Sequence, residues 1–384
     1  MAERVAESEG TAAPAAGRVA MRGPAIDVQV YPSFESLPEP LAAFFAAAGG
    51  RNFFASIPWY RTVLATAGPD TDKPRIYAAT RGERPVAALV AREREAAGKL
   101  KTHMLLGPSR GAYASLFAPV LDASDGAAGL RAIVAAIARA NPPFHVLRFD
   151  CLDPLAPEFA ALAAAFRSAR MPAQAFFNFH NYYDEVAGVP IDEYLARRPD
   201  DLRHAIQRAR MRLARGNRAR FELIAGGPDL EAALVDYALV DVQSWKDPEF
   251  YPDCTALLAR EAARAGALRL GLLSIEGEPA AAQIWLVASG RATIWRHHYA
   301  EKFARFSPGT VLTFEMFRHA LAAGNLREID FGPGEDKFKQ SWLGRTRERS
   351  GLIAFNPHTA KGLAAAARHF AGRWLGRIVR GRQV

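Results

Sequence analysis

The chain has 384 residues, half of them hydrophobic, and a formal net charge of +9 at pH 7. A chain of this length can bury a large core and form about two domains. Its positive charge favours an anionic partner, which coenzyme phosphates, an acidic polysaccharide, RNA or a membrane surface would all provide. Two cysteines, Cys151 and Cys254, are too few for a disulfide framework and have no metal-ligand spacing, which fits a reducing cytoplasm.

The two ends of the chain differ in composition from the rest. Residues 1–25 are rich in alanine, glycine and proline, lack the apolar core of a signal peptide, and are expected to form a disordered tail. Residues 358–384 are basic and moderately amphipathic, which fits a packed terminal helix or peripheral contact with the inner face of a membrane. No run of about 18 apolar residues is present, so we expect a cytoplasmic protein without a membrane span.

The order of predicted elements repeats once along the chain. In the first half we predict strands at 27–31, 75–80, 85–92, 101–106, 145–150 and 173–179, and helices at 37–48, 56–67, 127–139 and 157–170. In the second half we predict strands at 220–224, 268–275, 279–288, 292–299, 327–331 and 349–355, with helices at 229–242 and 253–265 and others beginning near 308 and 335. Similar hairpin turns at 82–85 and 277–279 reinforce the repeat. We therefore predict two related halves, residues 26–180 and 181–357.

The stretch from residue 292 to 342 carries the strongest functional signal. After the strand that ends at Tyr299, Ser307 suits a helix N-cap, Pro308 suits the first helical position, and Gly309 leaves the first turn without a side chain. A bare helix N-terminus beside cations can bind a phosphate, although an ordinary capped helix after a basic loop fits the same residues. The predicted anion-binding loop comprises Lys302, Arg305, Phe306, Ser307, Pro308, Gly309 and Thr310.

The second strand of this stretch ends in a glycine-rich turn at 332–334 and a charged helix start. Two strands joined by one helix should be parallel neighbours with a right-handed crossover, so both strand ends meet the helix start at one edge of the sheet. Strand alternation allows only one of His297 and His298 to face that cleft. Candidate proton-transfer groups there are His298, Asp330, Glu335 and Asp336, although each also has an ordinary structural interpretation, such as capping for Asp330.

Two motifs carry a resemblance to a known family. RFSPGTVL at 305–312 and IDFGPGEDKFK at 329–339 resemble the acetyltransferase domain of CelD-like and FemAB-like proteins of the GNAT superfamily. The resemblance implies an α/β (α+β) fold of tandem GNAT-like domains, each a mixed central sheet flanked by helices, with a degenerate first copy. It also implies acetyl-CoA or another acyl-CoA as co-substrate, and no metal. The usual Q/R-x-x-G-x-G/A loop is only partly reproduced, by Arg305, Gly309 and Thr310.

The function that this resemblance implies is N-acyl transfer to an amine, for example an amino sugar in cell-surface polysaccharide biosynthesis. An aminoacyl-tRNA-dependent transferase of the FemAB type and a catalytically inactive polymer-binding module are the alternatives, and only the first of these requires a nucleic acid. In GNAT enzymes a tyrosine often protonates the leaving thiolate, which suggests that role for Tyr299. The other candidates are Asp336 and Lys339 for catalysis, and Trp245, Lys246 and Trp295 for substrate binding.

An arginine-rich segment lies between the two predicted halves. Residues 197–220 contain nine arginines, with Asp200 and Asp201 as the only acids. On a helix, Leu202, Ile206, Ala209 and Leu213 form a narrow apolar stripe and the arginines occupy the other faces. The segment fits a contact surface for an anionic glycan, a nucleotide-sugar or RNA, and equally a solvated helix face.

Overall fold

The computed structural model describes residues 25–96, 101–108, 115–214, 219–247 and 249–380. The expected N-terminal tail, up to residue 24, lies outside the described residues, as does the end of the basic tail beyond residue 380. Residues 215–218 of the arginine-rich segment also lie outside them.

The first half begins with one strand and two helices, followed by a hairpin, one further strand, two strand–helix steps and a last strand. Its strands are β1 (Ile26–Tyr31), β2 (Lys73–Arg81), β3 (Arg84–Glu95), β4 (His103–Leu106), β5 (Val120–Leu121), β6 (Val146–Leu152) and β7 (Ala173–Glu185). Its helices are α1 (Glu39–Arg51), α2 (Ile57–Thr66), α3 (Gly126–Ala138) and α4 (Pro157–Ser168).

Two helices, α5 (Ile191–Ala196) and the arginine-rich α6 (Asp200–Ala214), lead into the second half, which repeats the order of the first. Its strands are β8 (Ala219–Ile224), β9 (Leu268–Ile275), β10 (Glu278–Ala288), β11 (Arg291–Tyr299), β12 (Glu328–Pro333) and β13 (Arg345–Phe355). Its helices are α7 (Leu230–Val242), α8 (Pro252–Arg264), α9 (Pro308–Ala322), α10 (Lys337–Trp342) and the terminal α11 (Ala360–Arg380).

All strands of the described chain join one sheet of 13 strands, in the order β1-β2-β3-β4-β6-β13-β7-β12-β11-β10-β9-β8, with β5 on β3. The two halves exchange their last strands: β13 pairs with β6 of the first half, and β7 pairs with β12 of the second. The expected domain boundary between residues 180 and 181 therefore falls inside β7, a strand that pairs on both sides. The two predicted central sheets are thus one continuous mixed sheet flanked by helices.

Helices on the two faces of the sheet build two main cores. One core unites both halves and includes Phe45 and Leu147 of the first half with Leu258 and Leu268 of the second. The other lies under α5, α6 and α9. In it, the stripe predicted on α6 is buried as expected: Leu202, Ile206, Ala209 and Leu213.

Aromatic packing fixes the position of α9, the helix that follows the predicted anion-binding loop. Phe317 is fully buried and its ring lies 5.3 Å from Trp285 of β10, 5.2 Å from Tyr194 of α5 and 5.0 Å from Trp342 of α10. Deleting a buried Phe side chain typically costs about 3–5 kcal/mol. The start of α9 is therefore held rigidly against the sheet.

Candidate active site

Parallel strands β11 and β12 pair over only three residues and then separate. Residues 291–293 pair with 328–330, and the ladder ends at Thr293 and Asp330. Immediately afterwards β11 contains a bulge, because its register against β10 gains one extra residue at Trp295. A bulge bends its strand and increases the local twist. The predicted parallel pair is confirmed, and the separation opens a cleft at the carboxyl end of the sheet.

A cavity of about 400 Å³ fills this cleft. The end of β11 forms one wall, the N-terminus of α9 another, and the start of α10 and the residues after α7 complete it. Its lining residues are Trp245, Lys246, Gln283, His297, His298, Tyr299, Ala304, Ser307, Pro308, Gly309, Thr310, Asp336 and Phe338. We call it the catalytic cavity.

The start of α9 projects into the catalytic cavity without a side-chain cap. Pro308 is the first helical residue, as expected, but the predicted capping bond from Ser307 does not form. The reason is the backbone of Ser307, which has φ 53° and ψ 51° in the left-handed region instead of the extended conformation typical of an N-cap. A Cβ on Gly309 would meet the ring of Tyr299 at 3.4 Å. The glycine therefore leaves open space exactly where the helix dipole and backbone N–H groups favour an anion.

The cations predicted for this loop lie beside the catalytic cavity and do not line it. Lys302 forms an exposed ion pair with Glu278, and the guanidinium of Arg305 stacks 4.7 Å over the ring of Phe306. Arg212 of α6 donates a hydrogen bond to the carbonyl of Arg305. The arginine-rich helix thus reaches the loop before α9, a juxtaposition that sequence spacing alone does not indicate.

His298 is buried and lies between two carboxylates. Its Nδ1 is 2.9 Å from Asp241 Oδ1, and its Nε2 is 4.0 Å from Glu249 Oε1. Glu249 already accepts hydrogen bonds from Tyr237, Thr255 and Arg296. Asp241 therefore places a carboxylate directly beside the imidazole, while Arg296 forms an ion pair with Glu249.

Both His297 and His298 line the catalytic cavity, so the prediction that only one could face it is wrong. The cavity lies off the end of β11, where side chains from both faces of the strand border it. Burial lowers the pKa of His297 well below its ordinary value, and the charges of Lys246 and Lys339 lower it further. His297 is therefore neutral at physiological pH and stacks on Phe338 with ring centres 5.6 Å apart.

Two lysines whose charges influence each other lie in or beside the catalytic cavity. Lys246 donates a hydrogen bond of 2.6 Å to the carbonyl of His297, and burial, aided by the charge of Lys339, lowers its pKa to about 8. Burial also lowers the pKa of Lys339, whose ammonium donates to the carbonyl of Pro333 and lies 3.7 Å from Asp336. Lys339 lies behind the wall and holds the glycine-rich turn, whereas Lys246 faces the cavity.

The three predicted carboxylates occupy three different environments. Asp330 is 3% exposed and does not line the cavity, since its oxygens accept from Thr293, from the Gly332 N–H at 2.8 Å and from other donors. Asp336 does line the cavity, and it also caps α10 by accepting from the Lys339 N–H at 3.0 Å. Glu335 is exposed, and one of its oxygens lies 2.6 Å from the His180 ring.

The predicted substrate-binding residues divide in the same way. Trp245 and Lys246 line the cavity, and Trp245 is 61% exposed at its mouth. Trp295 does not line it: its ring is buried in the core, edge-to-face with Trp59 at 6.3 Å. Trp295 is the extra residue of the bulge, and bulges re-aim the side chains that they carry.

Sequence reasoning missed several residues that the structure brings to the catalytic cavity: Gln283, Ala304 and Phe338. Gln283 had a usable signal, because it is the only polar residue of strand β10 after Glu278 at the strand's start. Its amide donates to Thr313 of α9 at 2.5 Å and its oxygen accepts from Trp285 at 2.9 Å. Asp241, which orients His298 from outside the cavity, lies 57 residues away in the chain and gave no local signal.

A family model matches most of the second half of the chain. Residues 200–340 match the family model described as acetyltransferase (GNAT) domain. This is the domain of a transferase, and it contains the whole lining of the catalytic cavity. No curated protein sequence matches the chain.

Solved structures share the fold at low sequence identity. FemX matches with a TM-score of 0.59 and 13% identity over 82% of this chain and 95% of FemX. L-PGS from Bacillus licheniformis matches with a TM-score of 0.54 and 13% identity over 86% of this chain and 96% of that one. A conserved protein of unknown function from Bacteroides thetaiotaomicron matches with a TM-score of 0.53 and 12% identity over 86% of this chain and 100% of that one. These three likenesses show that this chain shares its fold with those proteins over most of its length. None of its described helices is both long and apolar enough to span a bilayer.

Proposed function

We propose that the protein is an N-acyltransferase that uses acetyl-CoA or a related acyl-CoA and an amine acceptor. The observation that carries this proposal is the catalytic cavity between the separated strands and the uncapped start of α9. Gly309 leaves room there for a phosphate group, and Arg305 and Arg212 stand beside the same loop. Acyl-CoA supplies a thioester, and its anionic pyrophosphate suits a helix N-terminus.

In the proposed reaction the amine nitrogen forms a bond to the acyl carbon while the carbon–sulfur bond breaks. The proton of the amine passes to His298, because Asp241 at 2.9 Å stabilises the imidazolium that forms. Tyr299 donates a proton to the leaving sulfur and is replenished from solvent. Holding both reactants in the cavity supplies the larger part of the rate, since positioning is worth roughly 7–11 kcal/mol.

Other cavity residues support this scheme. Gln283 links β10 to α9 through Thr313, so the two walls of the cavity move together. Lys246 ties the loop after α7 to the end of β11, and Asp336 caps α10 while facing the cavity. The exposed Trp245 offers a flat surface on which an amino sugar could stack. The position of Trp245 and the CelD-like motifs support an amino sugar of a cell-surface polysaccharide as the acceptor. The enzyme would then act in the cytoplasm.

The test is calorimetric binding of acetyl-CoA to the wild type and to Gly309→Asp. The new carboxylate would occupy the space at the start of α9 and repel phosphate. Acetyl-CoA at about 100 times its dissociation constant should stabilise the wild type by roughly 2.7 kcal/mol and the variant by almost nothing. Gly50→Asp is the matched control, because a Cβ on Gly50 of α1 meets no atom within 4 Å.

If the wild type fails to bind acetyl-CoA, the acyl-CoA assignment is wrong. Binding of a charged tRNA, with an affinity that falls steeply as salt rises, would then support aminoacyl transfer through the arginine-rich α6. Equal binding by the wild type and Gly309→Asp would instead place the co-substrate away from α9.

A further inference from the structure

A second polar cavity lies in the first half, at the position that corresponds to the catalytic cavity. Its volume is about 460 Å³ and it opens at the ends of the parallel strands β4 and β6, as the catalytic cavity does at the ends of β11 and β12. Arg92, Arg94 and Arg148 line it together with Asp150 and Asn178. We call it the arginine pocket.

The arginine pocket is built around a buried guanidinium. Arg92 is 3% exposed, and its Nε donates to the carbonyl of Pro108 at 2.5 Å. A Cβ on Gly68 would lie 2.2 Å from Arg92 Nη1, so a glycine is required there to make room for the guanidinium. Burial lowers the pKa of Arg92, because removing a guanidinium from water disfavours its charged form.

The arginines outnumber the acids that accompany them. Arg94 binds Asp72 through Nε at 2.7 Å and Nη2 at 2.5 Å, and Arg148 binds Asp150 through Nε at 3.0 Å and Nη2 at 2.8 Å. Within the described part of the chain, the Nη1 groups of Arg94 and Arg148 donate to no other residue. Among the described residues, three guanidinium groups and two carboxylates meet here, which leaves a surplus of positive charge in this polar pocket.

We propose that the arginine pocket binds an anionic group of the acceptor, a carboxylate or a phosphate. Guanidinium groups with free N–H donors recognise both anions in forked geometry and bind them more strongly than neutral acceptors. The acceptor part of this inference rests on the proposed acyl transfer, whereas the binding of an anion does not.

The two cavities are bordered by the same two segments of the chain. Lys246 lines the catalytic cavity and Tyr251, five residues later, lines the arginine pocket. On β7, Asn178 lines the arginine pocket, and His180 contacts Glu335 beside the catalytic cavity. Five residues span at most about 18 Å, so one acceptor of moderate length can reach both cavities.

The test compares two matched substitutions, Gly107→Asp in the arginine pocket and Gly309→Asp in the catalytic cavity. A Cβ on Gly107 would meet the nearest atoms of Phe149 at 3.6 Å, an ordinary contact, so the fold should tolerate it. The probe is inorganic pyrophosphate, titrated calorimetrically into each protein. Because the start of α9 also suits a pyrophosphate, Gly309→Asp serves as the background: we expect it to keep one pyrophosphate site, whose affinity falls at least tenfold when Gly107→Asp is added. Acetyl-CoA should bind Gly107→Asp and fail to bind Gly309→Asp. Arg148→Gln should weaken pyrophosphate as well, and Arg148→Lys should restore part of the affinity.

Pyrophosphate that fails to bind the wild type, or that binds all variants equally, overturns the proposal. So does binding lost only in Gly309→Asp, since the anion would then occupy the start of α9. If pyrophosphate follows the expected pattern while acetyl-CoA does not bind the wild type, the proposed function fails and the anion pocket stands.

A second measurement separates a free anion from an anionic group of the acceptor. Aminohexyl phosphate and aminohexanol are compared as acceptors of the acetyl group by thiol release. We expect a KM at least tenfold lower for the phosphate with the wild type, and equal KM values with Gly107→Asp. Equal KM values with the wild type would overturn the acceptor part of the inference.

Discussion

Replacing Lys246 by methionine should change the pH dependence of stability in a way that the cavity predicts. The ammonium is buried beside Lys339, and its pKa falls from 10.5 to about 8. Because the folded pKa is the lower one, the unfolded chain binds more protons between pH 8 and 10.5. The free energy of unfolding of the wild type therefore rises with pH across that window.

The size of this effect follows from the pKa difference. One pKa unit is worth 1.36 kcal/mol, so the full window corresponds to about 3 kcal/mol, of which about 2 kcal/mol develops between pH 7.5 and 10. The methionine of Lys246→Met does not titrate. Between pH 7.5 and pH 10, the free energy of unfolding of the wild type should therefore rise by about 2 kcal/mol relative to that of the variant. Titrating groups distant from Lys246 are common to both proteins and cancel in the difference.

The assay is urea denaturation of wild type and Lys246→Met at pH 7.5 and pH 10. Lys302→Met is the matched control for the loss of a lysine, because Lys302 is exposed and does not line the catalytic cavity. If the difference in unfolding free energy between wild type and Lys246→Met changes by less than about 0.5 kcal/mol between the two pH values, the Lys246 ammonium is not desolvated as we infer.

Three further predictions concern the same half of the molecule. Ser307→Gly should raise the free energy of unfolding by about 1 kcal/mol in urea melts, because the left-handed conformation is unfavourable for serine but not for glycine. An unchanged or lower value would contradict a strained start of α9. Arg347→Ala should lower it by roughly 3–5 kcal/mol at pH 7, since it leaves Asp330 buried without its cation and Glu328 with Arg291 alone. Burial raises the pKa of Glu328, but Arg347 outweighs this and holds the pKa below its ordinary 4.5, so the stabilisation exists above that pH. The loss should shrink in melts near pH 4, and a pH-independent loss would argue against the ion pair. His298→Gln should lower kcat/KM for acetyl transfer by about 10²–10⁴, because it removes the proposed general base; an unchanged kcat/KM would assign the base elsewhere.

Local periodicity was sufficient for most of the fold. The two helices after β1, the hairpin of β2 and β3, and the same order after β8 all lie within a few residues of their predicted positions. These elements can be predicted because each has an apolar face that packs on a neighbour close in sequence, which gives a regular hydrophobic pattern. Short β5 and α5 escaped prediction, since two and six residues carry too little pattern.

The exchange of β7 and β13 could not be read from the sequence. Strand β7 was predicted to end at residue 179, but it continues to Glu185 because β12 and β13 pair with its last residues. Those partners lie more than 140 residues away in the chain. Pairing over such distances depends on tertiary packing, and strand propensity does not encode it.

In the candidate site too, features set by local sequence were predictable and features set by contacts between distant strands were not. The start of α9 and the glycine-rich turn were visible because Ser-Pro-Gly and Gly-Pro-Gly restrict the backbone locally. The bulge at Trp295, which turns that ring into the core, depends on the register between β10 and β11. The approach of Asp241 to His298 and the gathering of three arginines in the first half also arise only when distant strands are brought together.

The most direct test of the account is amine-dependent release of free thiol from acetyl-CoA, measured for the wild type, Gly309→Asp and Gly50→Asp with a panel of amines that includes amino sugars. The account predicts thiol release by the wild type and Gly50→Asp that depends on both the amine and acetyl-CoA, and its loss in Gly309→Asp. Thiol release by Gly309→Asp at the wild-type rate, or none from the wild type with any amine, would contradict acyl transfer in the catalytic cavity.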